Sequence, residues 1–333
     1  MSGSTEMTSG MDECPAIVVA ADNGYAMPLG VMLESLGTSL KGSIAVNVFI
    51  LDAGIAPWNR SRINRIARRH SLNISWIKAS VKAIKDLPVW AHIKHAAYLR
   101  ILCPDLLPQF LSKVIYLDCD MIIIRGIEEL WNTEMDGCPL AAVQEQSMVI
   151  SSAGGVVSYL ELGIPGDAKY LNSGVLIIDL VAWRRENFSQ KIMDYLRKYR
   201  EHVVYHDQDG LNAIFATRWK ELDHRWNYWV NSAEVVPEES HAKELARICE
   251  EADIVHYASR VKPWHLEAIS PGCAIFNEMV ARTPWHRYRR KGCVTLHERA
   301  EKYANKYFIG KCIRGIPLVG GVWSKWRTLG KGR

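Results

Sequence analysis

The segment Val114-Ile-Tyr-Leu-Asp-Cys-Asp-Met-Ile-Ile-Ile124 constrains this chain more than any other, because it is apolar except for two carboxylates, Asp118 and Asp120. A short continuous apolar run is what a strand buried on both faces of a sheet requires. Residues at i and i+2 of a strand project to the same side. The pattern therefore predicts that Asp118 and Asp120 converge where the strand exits, on one divalent cation and the diphosphate it would carry. In open α/β sheets that exit is where ligands bind. Cys119, between the acids, is predicted to turn the other way, into the core.

Other apolar runs alternate with helical patterns. Ala16–Ala21, Val46–Leu51, Ile74–Ile77, Leu140–Val143, Val175–Asp179 and Ile254–His256 read as strands. Behind Pro28, residues Leu29, Met32, Leu33, Leu36 and Leu40 recur at helical spacing and predict an amphipathic helix over the sheet. Further helices are predicted from Pro57 to about His70, over 90–103 with a stop near Pro104, and over 189–200 and 207–216. Strands and helices in alternation imply a mainly parallel, doubly wound α/β sheet. Residues 148–168, with Ser151-Ser-Ala-Gly-Gly155 and Pro165-Gly166, predict a long loop of the kind that often forms a lid or binding loop.

The bulk properties narrow the class. With 333 residues and 48% hydrophobic content, the chain suits one large domain plus an extension. The expected division is a disordered start over 1–13, a folded domain over 14–275 and a basic, aromatic extension over 276–333. No run approaches the ~20 apolar residues of a membrane span. The start, Met1 to Gly10, lacks the features of a signal peptide. The eight cysteines include no C-x-x-C pair, which argues for reduced thiols and against a disulfide frame or zinc site. These features predict a cytoplasmic protein.

From Arg282 to Arg333 there are fourteen Lys and Arg against two acids, Glu298 and Glu301, a net +12 in a chain whose total is +5. Trp285, Tyr288, Tyr303, Tyr307, Phe308, Trp323 and Trp326 are interleaved with these bases. Such a mixture suits an anionic membrane surface and predicts peripheral attachment to the inner face of the membrane. Nucleic acid is not the expected partner, because no helix-turn-helix, zinc-finger or RNP-like pattern accompanies the charge.

Four further segments complete a pattern: Ala20-Ala-Asp-Asn-Gly-Tyr-Ala26, Leu171-Asn-Ser-Gly-Val-Leu-Ile-Ile-Asp-Leu180, Tyr205-His-Asp-Gln-Asp-Gly-Leu-Asn212 and Ile254-Val-His-Tyr-Ala-Ser-Arg-Val-Lys-Pro-Trp264. Together with Tyr116-Leu-Asp-Cys-Asp120, and in this order, they resemble the retaining glycosyltransferases of family eight. That family includes the bacterial lipopolysaccharide galactosyl- and glucosyltransferases and the glycogenins. The resemblance covers roughly residues 15–270 and implies a GT-A (nucleotide-diphospho-sugar transferase) fold with a UDP-sugar bound through Mn²⁺ (or Mg²⁺). It implies Asp118, Asp120 and His256 as metal ligands, and Lys262 as the cation on the departing phosphate. Ala20, Asp22, Gly24 and Tyr25 match the loop that grips uracil and ribose. Arg100, Cys119 and Ser259 match positions near the diphosphate and donor sugar. Gly24 stands where the family often has asparagine, and Ser259 where many relatives have glycine.

Asn172, Asp207 and Gln208 match residues around the anomeric carbon, and His92 and Glu145 match acceptor-side positions. Asp209 and Asn212 are expected to cap and orient a helix rather than touch substrate. The resemblance implies transfer of glucose or galactose from UDP to a saccharide hydroxyl, with lipopolysaccharide or another cell-surface glycan as acceptor and the 148–168 loop as the place where acceptor choice is encoded. Two alternatives were weighed. A nucleotidyltransferase would need a glycine-rich, basic loop near the first strand, and none is seen there. A non-catalytic saccharide- or nucleotide-binding homologue would have no need of Asp118, Asp120, His256 and Lys262 together.

Overall fold

The computed structural model describes residues 14–40, 44–88, 95–290 and 292. His92 and most of the basic tail, with the acceptor and membrane expectations attached to them, lie outside the described residues. The elements in chain order are β1 (Ala16–Ala21), α1 (Ala26–Ser39), β2 (Val46–Asp52), α2 (Pro57–Arg69), β3 (Leu72–Lys78), α3 (Cys103–Leu106), β4 (Lys113–Leu117), β5 (Met121–Ile123), α4 (Glu128–Trp131), β6 (Leu140–Val149) and β7 (Lys169–Asp179). There follow α5 (Leu180–Glu186), α6 (Phe188–Lys198), α7 (Asp207–Phe215), β8 (Trp219–Glu221), β9 (Tyr228–Trp229), α8 (His241–Glu251), β10 (Ile254–His256) and α9 (Cys273–Ala281). No described helix is long and apolar enough to cross a membrane.

Seven strands form one sheet in the order β3-β2-β1-β4-β7-β6-β8, and β5, β10 and β9 form a small second sheet. β3, β2, β1 and β4 run parallel, and β8 is parallel to β6. β7 is antiparallel to both its neighbours, β4 and β6. The chain winds outward from β1 to β3 and then returns to β1's other side as β4. The crevice beyond the carboxyl ends of two such strands is where a doubly wound sheet binds its ligand. Here Asp22 follows β1 and Asp118 follows β4. Side-chain alternation divides the core: Ile17 and Val19 pack on the α1 side, whereas Ala16 and Val18 pack on the other face with Tyr98, Tyr116 and Leu176.

Four expectations change. The run Val114–Ile124 is not one strand: β4 ends at Leu117, the Asp118-Cys119-Asp120 link is irregular, and β5 pairs with β10 in the second sheet. The two acids are thus held where the chain passes between sheets. α1 is not amphipathic but buried almost all round, because it lies against the main sheet and also α2, β5 and α9. Even Glu34 is buried, ion-paired to Arg69 and 3.2 Å from His70 Nε2. Of the stretch predicted as a helix over 90–103, the described part is a 3-10 helix from His95 to Leu102, and Pro104 lies inside the short α3 that follows rather than ending it; 90–94 lie outside the described residues. A proline is tolerated there because the first turn of a helix has no use for its missing N–H.

The fourth change concerns the C-terminal side. The compact unit runs on to Arg290 rather than stopping at 275. Phe276 of α9 is fully buried, and Trp285 and Tyr288 pack on the core beside α1. The Trp285 ring lies where a side chain on Gly30 would sit, and the Arg62 guanidinium lies 5.5 Å from its centroid. These two aromatics are therefore structural, not part of a detached basic tail.

Candidate active site

One cleft of about 460 Å³ lies beyond the ends of β1 and β4. Its walls include Ala20, Asp22, Tyr25, Arg100, Asp118, Cys119, Asp120, Glu145, Asn172, Asp207, Gln208, His256, Ser259 and Lys262. Gly24 is not among them: it is exposed, and its N–H is held 2.7 Å from Asp22 Oδ1. Of the loop expected over 148–168, only Met148 reaches the cleft, because β6 continues to Val149 and the remainder folds back on itself.

Asp118, Asp120 and His256 meet at the bottom, one potential ligand atom from each lying within 4.8 Å of the others. The Asp118 N–H donates to Gly174 O (2.9 Å) and the Tyr257 N–H to Asp120 O (3.0 Å), fixing the link between the sheets. His256 Nδ1 lies 2.8 Å from Asn227 Oδ1. Nδ1 is thereby the donor to Asn227, which turns Nε2 towards the acids, 3.5 Å from Asp120 and 4.0 Å from Asp118. Two hard carboxylates and one oriented imidazole fit Mn²⁺ or Mg²⁺. The charges agree with that fit. Burial pushes the Asp118 carboxyl above the usual range although Arg100 opposes it. Burial acts the same way on Asp120, but Lys262 and His256 outweigh it and hold that carboxyl well below the usual range. A cation between them would stabilise both as carboxylates.

Lys262 Nζ is 2.6 Å from Asp120 Oδ2 and 2.8 Å from Tyr257 O. Its ammonium thus sits beside the candidate metal site. Arg100 is almost fully buried. It donates to Asp118 Oδ1 (2.8 Å), Ser173 O and Ser173 Oγ (3.0 Å), with Nε turned to Ala97 O (3.1 Å) and 2.9 Å from Asp207 Oδ2. Its guanidinium also lies 4.7 Å from the Tyr116 ring centroid. Arg100 therefore ties the metal-side acid to the start of α7, an ordering role that a surface helix arginine could not have.

Asn172, Gln208 and Glu145 form an amide and carboxylate network opposite the metal corner. Gln208 Oε1 accepts from the Ser173 N–H (2.9 Å) and Ser173 Oγ (3.3 Å), and its Nε2 donates to Glu145 Oε2 at 3.3 Å. Asn172 Nδ2 also donates to Glu145 Oε2. Asn172 Oδ1 accepts from Asn227 Nδ2 (2.7 Å) and the Gly174 N–H (2.8 Å). One chain of hydrogen bonds therefore runs from His256 through Asn227, Asn172 and Glu145 to Gln208. Asp207 is buried, which pushes its carboxyl upward against the pull of Arg100. His206, just before it, has φ +56°, a strained value for a side-chain-bearing residue that sets the entry angle of α7.

Asp209 and Asn212 play the orienting parts expected of them. Asp209 accepts from the Val204 (2.6 Å) and Tyr205 (3.1 Å) N–H groups and the Tyr170 hydroxyl. Burial raises its carboxyl to about 6. Asn212 bridges α7 to β7 through the Leu171 N–H (2.7 Å) and Leu171 O (3.0 Å). Beyond the end of β1, Asp22 Oδ1 caps the turn Asn23–Tyr25. The Tyr25 ring packs edge-on to Trp264 at 5.9 Å, and burial followed by the Asp120 and Asp118 charges keeps its phenol protonated. Cys119 is buried with Sγ 3.4 Å from Ala20 O, so it joins the two strand ends. Ser259 Oγ donates to Val261 O (2.7 Å), bracing its own loop.

Sequence reading missed Asn227, Ser173 and Gly174 as supports. Asn227 sits 29 residues before the histidine it orients, and nothing local marks it. Gly174 has a physical signature only in three dimensions: a Cβ there would lie 2.5 Å from His256 Cε1 and 2.9 Å from Met121 Cε. Gly174→Ala is expected to displace the imidazole and weaken divalent-cation binding by ~10- to 100-fold, the usual effect of losing a ligand's support. Calorimetric titration with the metal checks this; unchanged binding would show that His256 has room to move.

The comparisons agree with this geometry. The model of Glycosyl transferase family 8 matches residues 16–268. General stress protein A of Bacillus subtilis (strain 168) is 30% identical over 281 residues, 83% of this chain and 96% of that protein. The lipopolysaccharide 1,2-glucosyltransferase of Escherichia coli (strain K12) is 23% identical over 91% of this chain and 90% of its own length. Galactosyltransferase LgtC, solved in complex with donor and acceptor sugar analogues, aligns with a TM-score of 0.68 and 25% identity over 81% of this chain and 96% of that one. With the switch-point cleft and the GT-A arrangement of its sheet, the chain belongs to glycosyltransferase family 8 and is a glycosyltransferase, related to the lipopolysaccharide glucosyl- and galactosyltransferases.

Proposed function

We propose that this enzyme transfers glucose or galactose from a UDP-sugar to a hydroxyl of a saccharide acceptor, part of lipopolysaccharide or another cell-surface glycan, with retention of anomeric configuration and dependence on Mn²⁺ or Mg²⁺. The observation that carries the reading is the convergence of Asp118, Asp120 and His256 within 4.8 Å, in the cleft that also holds Gln208 and Asn172. A bound divalent cation would act there as a Lewis acid on the leaving diphosphate. Lys262, beside Asp120, adds a positive charge that stabilises the phosphate as it departs.

Gln208 is a poor nucleophile on two counts. It is an amide, and its carbonyl oxygen is turned onto the Ser173 N–H. The negative groups Asp207 and Glu145 instead favour positive charge at the anomeric carbon. Return of the acceptor on the face the UDP leaves, with the departing phosphate oxygen taking the hydroxyl proton, fits a site whose carboxylates are engaged, Asp207 with Arg100 and Glu145 with two amides, better than the two-carboxylate scheme of retaining hydrolases.

Release of UDP from a panel of UDP-sugars, with and without Mn²⁺ and a crude glycan extract, tests the proposal. Release from one UDP-hexose, stimulated by the extract and dependent on the metal, is expected. Absence of both UDP release and metal-dependent UDP binding would overturn it, and a glycosyl adduct on Gln208 or Asp207 in mass spectrometry would overturn the face-retaining path.

A further inference from the structure

A second cavity of about 620 Å³ opens between the β6 segment 143–147 and the chain from Glu221 to Trp229. It shares Glu145, Gln146, Asn172 and Trp229 with the first cleft, so the two adjoin across the amide network. The wall between them is built under strain. Gln146 and Ser147 have φ of +35° and +63°, the register of β6 against β7 shifts between Gln144 and Val149, and Gln144 Nε2 holds Met148 O at 2.7 Å. A bulge with side-chain-bearing residues in the left-handed region persists only where surrounding structure imposes it, and such bulges cluster beside functional sites.

The two cavities differ in charge. Arg100, Arg260 and Lys262 line the first, as a diphosphate requires. None of the described residues lining the second is Lys or Arg, whereas Glu145 and Asp223 are acids, as is Glu221, which is ion-paired to Lys169 (2.5 Å). Such a wall repels phosphate and carboxylate but accepts hydrogen bonds from hydroxyls. Trp229 stands at the junction with 38% of its surface exposed, a large ring available to the C–H face of a pyranose. A volume within the ~300–1,000 Å³ of small-ligand sites, an exposed aromatic and convergent polar groups together describe a binding site.

We infer that this cavity is a second saccharide subsite, taking an uncharged sugar residue of the acceptor next to the one that is glycosylated. The inference rests on the hexosyltransferase reading and deepens it: the preferred acceptor is at least a disaccharide, neutral at that residue. The chain from Glu221 to Trp229, rather than the 148–168 segment, then encodes acceptor choice.

The test is a glycan array of neutral, carboxylated and phosphorylated mono-, di- and trisaccharides, probed with the labelled full chain in Mn²⁺ and UDP. Calorimetry follows on the best-bound glycan with wild type, Trp229→Ala and His224→Ala. A neutral di- or trisaccharide is expected to bind about tenfold tighter than its terminal monosaccharide. Trp229→Ala should remove that gain, and His224→Ala should reduce it while leaving UDP affinity unchanged. No advantage of length, preference for charged glycans, or wild-type glycan affinity in both variants would overturn the subsite. If UDP binds normally in those cases, only this inference falls; if UDP fails to bind with Mn²⁺, the hexosyltransferase reading falls with it.

Discussion

Asp120→Ala is expected to lower metal-dependent UDP release by about three orders of magnitude. Asp120 is the acid on which the two flanking groups depend. Lys262 Nζ lies 2.6 Å from its Oδ2 and His256 Nε2 3.5 Å from its Oδ1. Without it the candidate metal site keeps one carboxylate, and Lys262 loses the partner that holds its ammonium beside that site. Lewis-acid stabilisation is worth several kcal/mol, and each 1.36 kcal/mol is tenfold in rate, so a loss of ~10³ follows. Steady-state UDP release at saturating donor checks it, beside a thermal melt. The midpoint should fall only modestly, because the loss of the Lys262 pair is offset in part by the relief of Asp120's repulsion of Asp118. A variant that retained a tenth of wild-type activity would mean that the metal, if bound, is held elsewhere.

The second large effect is on stability. Arg100 stands between the half-buried Asp118, 2.8 Å away, and the buried Asp207, 2.9 Å away. Arg100→Leu leaves both without a counter-charge in an interior where burial already pushes their carboxyls upward. Breaking a buried pair from one side costs about 3–5 kcal/mol, which urea unfolding would read directly. Adding Asp207→Asn to Arg100→Leu should recover part of the loss, because one orphaned charge is removed; purely additive destabilisation would show that the two groups do not interact. Arg100→Lys is not expected to rescue function. A single ammonium cannot reach Asp118, Asp207 and the Ser173 carbonyl at once, as the planar guanidinium does.

Much of this was legible in the sequence because it rests on short-range chemistry. Continuous apolar runs read as buried strands, and Asp118, Asp120, Asn172, Asp207, Gln208, His256 and Lys262 sit in short local motifs that resemble those of family 8. All of them line one cleft. Fine geometry was less legible. The expectation that Asp118 and Asp120 share a face through strand alternation reached the right pair for a different reason, since the chain there leaves one sheet and enters another. The helix expected over 90–103 tightened into 3-10 turns that bring Arg100 against Asp118.

What the sequence by itself determined is the fold class and the family resemblance that marks Asp118, Asp120 and His256 as candidate metal ligands, because each is carried by periodicity or by motifs a few residues long. What only the tertiary structure decided is how those groups are held and what lies beside them. His256 to Asn227, Asn227 to Asn172, Asn172 to Glu145 and Gln208 to Glu145 join residues 29, 55, 27 and 63 positions apart. An amide or carboxylate carries no mark of its distant partner. The partner is fixed by which strands become neighbours and where a strand bulges, and that order is set by burial of the whole sheet rather than by any segment of it.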